Sequence, residues 1–379
     1  LIFSLCAVAV AFISVRAQIP RPEYPRPQME RSEWINLNGE WTYPLDPLGT
    51  GSERRFHEST GFGDKINVPF APESPLSGVS HAEFIPSIWY QRNITIPSSW
   101  DGLDVVLNFG AVYYESEVFV DGQFVGRHFG GSDPFSLDIT KFVKPGCVHS
   151  LVVNAKSDLR SRLQPAGKQS LRFGAFECMY SRTTGIWQTV WMEPVAKTGI
   201  ANVKILPNID SDNVSMIFRM RRDAQSNTIT IDVRNSKGKV VATVTSPVNS
   251  GDVITLPIQR AELWTPESPY LYDVNITLYD SNKRAIDTVK SYFGMRKVHT
   301  ENNLFYLNNK PYFQRLVLDK GFYTEGTWTA PSDEALRRDI ELGKSAGFNG
   351  ARLHQKVFED RYYYWADRLG YLTWGESPS

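Results

Sequence analysis

The sequence predicts a multidomain protein: an all-β jelly-roll sandwich, then an immunoglobulin-like β-sandwich, then the start of a (β/α)8 TIM barrel of about three strands. Two observations predict this order. Short alternating or aromatic runs punctuated by Gly, Pro, Asp and Asn continue to about residue 296, and after Lys297 helical and strand patterns alternate. The chain has 379 residues, 41% of them hydrophobic and 13% aromatic, which is enough for two or three domains with cores.

The first β domain is predicted over residues 18–195. After the proline-rich leader "IPRPEYPRPQ" its strand-like runs include "SIWYQRNITIP", "DVVLNFGAV" and "HSLVVNAK". In "SEVFVDGQFVG" the pair Asp121-Gly122 separates two such runs, and both residue types tolerate the positive φ of a type I′ turn. This pattern predicts a two-residue β-hairpin inside a sandwich or jelly roll.

The second β domain is predicted over residues 196–296. Runs such as "TITIDVRNSKGKVVATVTS" and "YLYDVNITLYDSNKRAIDTVKSYFG" again alternate with turns, and they are less aromatic than those before them. A stretch of roughly one hundred residues with this rhythm is typical of an immunoglobulin-like sandwich.

The third domain, residues 297–379, is predicted to be an incomplete TIM barrel. A hairpin and a strand ending at Asp319 precede a helix that Ser332 caps, with apolar positions at Ala335, Leu336, Ile340 and Leu342 and a stop at Gly347. A second strand, "FNGARLH", a second helix ending at Gly370 and a third strand, "YLTWGE", follow. A closed barrel needs about 250 residues, so the pattern predicts only its first part.

The N-terminal segment "LIFSLCAVAVAFISVRAQ" is interpreted as a signal peptide, residues 1–17, with the small-residue pattern Val15-Arg16-Ala17 before Gln18. Its apolar run is shorter than the ~20 residues that span a bilayer, and no other segment is long enough. We therefore expect a secreted, periplasmic or other extracytoplasmic protein with no membrane partner once the signal is removed. The missing initiator Met indicates that the sequence starts inside its gene.

The charge balance, the cysteine content and the histidine spacing limit the kinds of partner, disulfide and cofactor that we expect. The 41 basic and 41 acidic residues cancel, which argues against a nucleic-acid partner. Cys147 and Cys178 remain after signal removal and are compatible either with one disulfide or with two separate buried thiols. The six His lack ligand spacing and no phosphate-binding loop is present, so we expect no metal and no cofactor.

The order of these domains resembles glycoside hydrolase family 2, the β-galactosidases, β-glucuronidases and β-mannosidases. The segments that carry the resemblance follow the family's order over almost the whole mature chain: "INLNGEWTY", "YQRNITIP", "VFVDGQFVGRHFGGSDPFSLDIT", "TTGIWQTVWME", "SYFGMRKV", "LNNKPYFQR", "SDEALRRDIELGKSAGFNGARLH" and "ADRLGYLTWGE". The resemblance implies an O-glycosyl hydrolase that cleaves terminal β-glycosidic bonds of oligo- or polysaccharides with retention, through two carboxyl groups roughly 5 Å apart.

In the family the acid/base is the Glu of an Asn-Glu pair at the fourth barrel strand and the nucleophile is a Glu at the seventh. The resemblance therefore places both beyond Ser379 and implies that residues 1–379 alone are inactive. No catalytic residue is assigned within the chain. The alternative is a non-catalytic carbohydrate-binding β-sandwich protein with a vestigial barrel segment.

Five residues are candidates for contacting the carbohydrate. By the resemblance Arg352 matches an arginine beside the nucleophile; the alternative is a surface or interhelical salt bridge. Glu376 matches an acidic residue at the end of the third strand; the alternative is a role in a terminal loop. His354, two residues after Arg352, is either a hydroxyl contact or a structural histidine. Asp319 stands where many members carry an Asn-Arg-His-Glu run, a departure that indicates a subgroup with a different sugar or metal use. Asp158 in "NAKSD" matches a Ser-Asp that reaches the family's active site, or is a plain turn aspartate. The sequence defines neither the sugar nor the oligomeric state.

Overall fold

The computed structural model describes residues 19–223 and 226–378. The predicted signal peptide, residues 1–17, lies outside them. Within these ranges, no helix is both long enough and apolar enough to cross a membrane. The chain is mostly β, as predicted, and it contains two α-helices among the described residues, both after Lys297.

The N-terminal part folds as a β-sandwich. Its strands are β1 (Ile35–Asn36), β2 (Gly39–Tyr43), β3 (Asp64–Val68), β4 (Ser87–Thr95), β5 (Asp104–Phe109), β6 (Val112–Tyr113), β7 (Glu115–Val120), β8 (Gln123–Phe129), β9 (Phe135–Asp138), β10 (Val148–Lys156), β11 (Gly185–Ile186) and β12 (Val190–Val195). A six-stranded sheet, β3-β2-β4-β10-β7-β8, faces a four-stranded sheet, β1-β12-β5-β9, and β11 pairs with β6. One apolar core receives side chains from both large sheets, including Trp41, Tyr90, Leu107 and Met192.

The predicted hairpin between β7 and β8 is confirmed. Asp121 has φ +47° and Gly122 has φ +77°, so both residues of the loop adopt the positive φ that a type I′ turn requires. Val120 pairs with Gln123 across the turn.

The second part is a seven-stranded sandwich, as expected for an immunoglobulin-like domain. Its strands are β13 (Ile200–Asn208), β14 (Asn213–Met220), β15 (Thr228–Arg234), β16 (Val240–Pro247), β17 (Val253–Pro257), β18 (Tyr272–Tyr279) and β19 (Ala285–Phe293). Sheet β13-β14-β17 packs against sheet β16-β15-β18-β19. In β15 the alternate residues Ile229, Ile231 and Val233 are fully buried, because successive side chains of a strand point to opposite faces.

The third part begins with a small antiparallel sheet and continues as a parallel one. Its elements are β20 (Val298–Glu301), β21 (Leu304–Leu307), β22 (Lys310–Pro311), β23 (Leu316–Asp319), α1 (Asp333–Ser345), β24 (Gly350–Leu353), α2 (Asp360–Leu369) and β25 (Leu372–Gly375). Strands β23, β24 and β25 are parallel neighbours in that order, and a helix connects each to the next. This is the predicted strand and helix order; its continuation as a closed barrel stays a prediction, as do the domain boundaries at 195 and 296.

Single-turn 3-10 helices also occur in the described residues. They span Pro27–Met29, Phe56–Glu58, Pro75–Ser77, Ser98–Trp100, Thr140–Phe142 and Leu159–Ser161.

The predicted start of helix α1 is confirmed, but one of its predicted apolar positions is exposed. The side chain of Ser332 accepts a hydrogen bond from the Ala335 backbone N–H at 3.1 Å, which is the predicted N-cap. Leu336 and Ile340 are buried against the sheet. Leu342, however, is 52% exposed, so its placement on the apolar face was wrong.

The parallel sheet has two different faces. Ala351 and Leu353 are fully buried in the core that the sheet shares with α1 and α2. Leu318, Arg352 and Trp374 lie side by side in register on the other face, and all three are exposed. The helices therefore cover one face of the sheet in the described part of the chain.

The segment between the leader and β1 joins the two sandwiches through a buried charge cluster. Arg31 bonds both carboxylate oxygens of Asp287, at 3.0 and 2.8 Å, and also Glu193 at 3.0 Å. These side chains are at most 6% exposed. Because a buried charge is costly unless it is paired, this cluster fixes how that segment and the two sandwiches meet.

The loop after β23 is seated on the first sandwich. The Thr329 hydroxyl donates to the Trp187 carbonyl at 2.6 Å, and the indoles of Trp187 and Trp328 pack edge to face with centroids 5.3 Å apart. The Leu76 N–H donates to the Glu325 carbonyl at 3.1 Å. The first sandwich is thereby brought to the carboxyl ends of the parallel strands.

Candidate functional site

The carboxyl ends of the three parallel strands gather four of the five candidate residues at one edge. Asp319 pairs in register with Leu353, and Leu353 pairs with Gly375. The residues that follow, His354 and Glu376, therefore emerge beside Asp319. This edge is where open and closed α/β sheets carry their ligand sites, because the loops there are free to vary.

Arg352 and Glu376 form an ion pair at this edge. The Arg352 Nε–H donates to Glu376 Oε1, and the Gln355 backbone N–H donates to Oε2 at 3.1 Å. The hydrogen bond from Arg352 is the first cause of a pKa of Glu376 below its ordinary value. Glu376 is thus held as a carboxylate. The Arg352 side chain remains 51% exposed, and its terminal nitrogens make no hydrogen bond to the described residues.

Asp319 is held from two sides. Its Oδ1 accepts the Gly321 N–H at 2.7 Å, and its Oδ2 accepts the hydroxyl of Tyr362 on α2 at 3.0 Å. Burial, followed by the charge of Asp319, raises the pKa of Tyr362 well above its ordinary value, so this hydroxyl stays a donor. The sequence identified Asp319 but gave no indication of its partner Tyr362, which lies 43 residues away.

His354 lies in the turn after β24, one residue beyond the strand. Its backbone N–H donates to the Asp319 carbonyl at 2.8 Å. Burial lowers the pKa of the imidazole, and Glu376 only partly opposes this, so the ring is neutral around pH 7. Its Nδ1 is buried without a hydrogen-bond partner among residues 19–223 and 226–378, so the ring is not a fully satisfied structural histidine within those ranges.

A loop of the first sandwich borders the strand ends. Lys320, directly after β23, donates to the Cys178 carbonyl at 3.4 Å, and the rings of Tyr180 and Phe322 stack with centroids 4.9 Å apart. A Cβ added to Gly167 would lie 2.7 Å from the Gln355 carbonyl oxygen, so glycine allows this close approach. These neighbours were not predicted, because nothing local in "QPAGKQS" or "FECMYS" indicates what the loop contacts.

Lys356 is a further residue near the strand ends that was not predicted from the sequence. Its ammonium donates to the Gly321 carbonyl at 2.5 Å and lies 4.8 to 5.3 Å from the ring centroids of Trp187, Trp328 and Phe358. The residue is 3% exposed, and burial lowers its pKa to about 7, with Asp319 and Glu359 opposing. Trp187 belongs to the first sandwich and Trp328 to the loop after β23, so through these contacts Lys356 joins the first sandwich to the loops that carry Asp319 and His354.

Asp158 is not brought to the strand ends by any hydrogen bond or ion pair of the described residues. It is exposed at the start of a 3-10 turn and lines a groove of about 480 Å³ together with Phe84, Tyr114 and Phe129. Its backbone N–H is bonded by the Gln164 side chain at 3.0 Å. This local contact fits the turn interpretation; a carbohydrate contact stays a prediction.

Both predicted alternatives for the cysteines, one disulfide or two buried thiols, are wrong. Cys147 and Cys178 are free and exposed, so they form neither a disulfide nor a pair of buried thiols. They belong to different regions of the first sandwich: Cys147 lies in the turn before β10, with its carbonyl bonded by the Ile96 N–H, and Cys178 lies beside Lys320.

Among residues 19–223 and 226–378, no group of three or more His, Cys, Asp or Glu is arranged to hold a metal ion. The strand ends instead offer a paired guanidinium, a fixed carboxylate and a neutral imidazole. These are groups that hydrogen-bond hydroxyls and position a carboxylate.

Two family models match the chain. The model described as "Glycosyl hydrolases family 2, sugar binding domain" matches residues 35–161, and the one described as "Glycosyl hydrolases family 2" matches residues 198–296. Together they cover more than half of the sequence, one in each sandwich.

Similar proteins carry glycosidase names. A beta-glucuronidase from Paenibacillus borealis is 24% identical over 94% of this chain and 60% of its own length, and a beta-galactosidase from Thermoanaerobacter pseudethanolicus is 26% identical over 91% and 46%. A solved b-glucuronidase from Ruminococcus gnavus, in complex with D-glucaro-d-lactam, has a TM-score of 0.79 at 20% identity, over 95% of this chain and 62% of that one. The chain thus spans no more than about 62% of the length of these three proteins, and the structural likeness shows the shared fold.

Proposed function

The chain belongs to family 2 of the glycosyl hydrolases, and from this premise we propose that the protein hydrolyses terminal β-glycosidic bonds of oligo- or polysaccharides with retention of configuration. The observation that carries the proposal is the meeting of Asp319, Arg352, His354 and Glu376 at the carboxyl ends of three parallel strands. In barrel enzymes this end of the sheet carries the catalytic groups.

Neither carboxylate at this edge is suited to be a general acid. Such a group needs a raised pKa, whereas the pKa of Glu376 is lowered by Arg352. Asp319 has one oxygen committed to Gly321 N–H and the other to Tyr362. As the resemblance to the family implies, we propose that the acid/base and the nucleophile lie beyond Ser379, on later strands of a (β/α)8 barrel that β23, β24 and β25 begin.

In this proposal the described residues bind and orient. The terminal nitrogens of Arg352 hold a nucleophilic carboxylate in its ionised form, since a fixed guanidinium favours the charged state. The neutral imidazole of His354 and the carboxylate of Asp319 hydrogen-bond sugar hydroxyls. Lys320 and the Gly167 loop of the first sandwich form one wall.

The experiment is to sequence the transcript beyond the codon for Ser379 and to assay the product of the longer frame with a panel of aryl β-glycosides. We expect a later strand ending in Asn-Glu, hydrolysis of at least one β-glycoside, and accumulation of a covalent intermediate with the matching 2-deoxy-2-fluoro glycoside. A stop codon directly after Ser379, or a longer product that binds carbohydrate without turnover, contradicts the proposal and leaves a non-catalytic carbohydrate-binding protein.

We further propose an extracytoplasmic location, supported by the apolar segment before Gln18. Expression of the coding sequence with its complete 5′ end, followed by N-terminal sequencing of the secreted product, is expected to give a chain that starts at Gln18. Retention of the unprocessed protein inside the cell contradicts this.

A further inference from the structure

The buried carboxyl of Glu73 joins two segments of the first sandwich. Glu73 belongs to residues 69–77, directly after β3, and Thr184 belongs to residues 183–187, which include β11. The Thr184 N–H donates to Glu73 Oε2 at 3.1 Å, and the Thr184 hydroxyl bonds Oε1 at 2.6 Å. Both oxygens of one side chain therefore hold the two segments together.

Both segments also contact the loop after β23. The Leu76 N–H donates to the Glu325 carbonyl at 3.1 Å. The Thr329 hydroxyl lies 3.2 Å from the Pro69 carbonyl and donates to the Trp187 carbonyl at 2.6 Å. The loop that follows the first strand of the candidate site is thus seated on the two segments that Glu73 joins.

An apolar cluster closes over the same place. Ala71, Trp187 and Trp328, one from each of the three segments, are buried in it together. Glu73 is only 8% exposed, so its carboxyl gains full contact with water only when these segments move apart.

The carboxyl of Glu73 has no ion pair within residues 19–223 and 226–378. Glu73 is the only titratable residue of its own segment, and the charged or titratable groups that face it are Arg182, before β11, and Tyr90, on β4. The guanidinium of Arg182 bonds three backbone carbonyls instead of the carboxyl, and the Tyr90 hydroxyl accepts the Ile186 N–H at 3.3 Å. Burying a carboxylate without a paired cation is costly, so this site favours the neutral carboxyl.

From this geometry we propose that Glu73 is an acid-stabilised latch, whose neutral carboxyl joins residues 69–77 to residues 183–187 and seats the loop after β23, and whose ionisation loosens that seat. The latch does not rest on the proposed hydrolysis, since its opening involves no substrate.

The direction of the pH effect follows from burial. Burial raises the pKa of Glu73 from 4.5 to about 7, with the hydrogen bonds from Thr184 and the charge of Arg182 opposing. Between these values the latched form keeps a proton that the open, hydrated form has released, so the latch weakens as pH rises. Above the folded value the loss is complete.

The test is hydrogen–deuterium exchange of the full chain from pH 4.5 to 8, with rates corrected for the intrinsic pH dependence of exchange. The reporters are the Leu76 N–H, bonded to Glu325, and the N–H groups of Thr327 and Thr329, bonded within the loop. We expect their protection to fall at least about tenfold between pH 5 and 7, since one pKa unit corresponds to a factor of ten. Glu73→Gln keeps a neutral hydrogen-bonding group and should abolish this fall.

Urea distinguishes opening of the latch from global unfolding. The amides of β15, in the core of the second sandwich, should lose protection in about 1 M urea, because global unfolding exposes a large surface. The reporters should have lower protection than β15 and should respond little to urea. Reporters that match β15 at every pH and urea concentration overturn the proposal, even if the Gln variant does not fold.

Two control variants exclude other titrating groups. Lys356 donates to the Gly321 carbonyl at 2.5 Å, and its pKa is also lowered to about 7; the His81 N–H donates to the Pro72 carbonyl at 2.8 Å. Lys356→Met and His81→Gln should each retain the fall in protection between pH 5 and 7. Constant protection in the wild type, an equal fall in the Glu73 variant, or loss of the fall in either control overturns the proposal.

Discussion

Arg21 holds both carboxylate oxygens of Glu359 across 338 positions of the chain, with Nη1 3.2 Å from Oε1 and Nη2 2.6 Å from Oε2. Their side chains are only 2% and 13% exposed. Arg21 also donates to the Ala330 carbonyl at 3.3 Å. The leader therefore fastens the segment before α2 and the loop after β23, the two segments that follow His354 and Asp319 in the chain.

Replacing Arg21 with Ala should lower the free energy of unfolding by about 3–5 kcal/mol, because it leaves the carboxylate of Glu359 buried without its partner. Urea denaturation followed by tryptophan fluorescence measures this. As the control, Arg284→Ala removes an exposed pair with Asp280, which solvent screens, and should leave the free energy of unfolding almost unchanged. Equal losses in the two variants contradict the importance assigned to the Arg21–Glu359 pair.

Replacing Gly321 with Ala should destabilise the protein by about 2 kcal/mol or more, since its φ of +52° is unfavourable for a residue with a Cβ. The added Cβ would also lie 2.6 Å from Phe358 Cζ and 2.7 Å from Lys356 Nζ. Gly174→Ala is the matched control, because a Cβ there has no atom within 4 Å. Thermal unfolding should show a lower Tm for the first variant alone; similar Tm values for both contradict the close packing around Lys356.

The features that were predictable from sequence are those that neighbouring residues determine. The turn at Asp121-Gly122 depends on two residues with positive φ, and the start of α1 depends on the Ser332 hydroxyl three positions before Ala335. The strand ends were located because a parallel sheet brings Asp319 and Glu376 to one edge once its strands are recognised.

The features that were missed depend on contacts between distant segments. Leu342 has helical spacing but no partner to cover it, so it is exposed. Gln355 holds Glu376 through its backbone N–H, a role that leaves no trace in residue type. Nothing near Lys356 in the sequence indicates that it is buried, because its aromatic neighbours Trp187 and Trp328 come from other parts of the chain.

Replacing Arg352 with Ala should raise the pKa of the Glu376 carboxyl, because the hydrogen bond from Arg352 is the main cause of its low value. Carboxyl-detected NMR titration of protein labelled with ¹³C at Glu measures the change. Arg315→Ala is the control, since Arg315 bonds the Gly347 carbonyl and not Glu376. An unchanged Glu376 pKa in the Arg352 variant contradicts the ion pair as the cause.

Replacing Glu73 with Gln should reduce the loss of stability between about pH 4.5 and 7. Glu73 is 8% exposed, and burial raises its pKa from 4.5 to about 7, although Thr184 donates to both oxygens at 2.6 and 3.1 Å. Between these values the folded state binds a proton that the unfolded state has released, so stability falls as pH rises. Denaturation midpoints of the wild type and the variant across this window measure the difference; parallel curves contradict it.

Replacing Lys356 with Met should flatten the pH dependence of stability on the alkaline side. Burial lowers the pKa of Lys356 from 10.5 to about 7, so between these values the unfolded state holds a proton that the folded state lacks. Stability conferred by this group is therefore greatest above pH 10.5 and is lost as pH falls toward 7. Methionine keeps the length of the side chain and packs against Trp187, Trp328 and Phe358 without a charge. Subtracting the variant's free energy of unfolding from that of the wild type, at each pH from 6 to 10, isolates the contribution of Lys356 from that of other groups. If that difference does not increase with pH across this range, the pKa of Lys356 is not lowered, and the rings of Trp187, Trp328 and Phe358 do not desolvate its side chain.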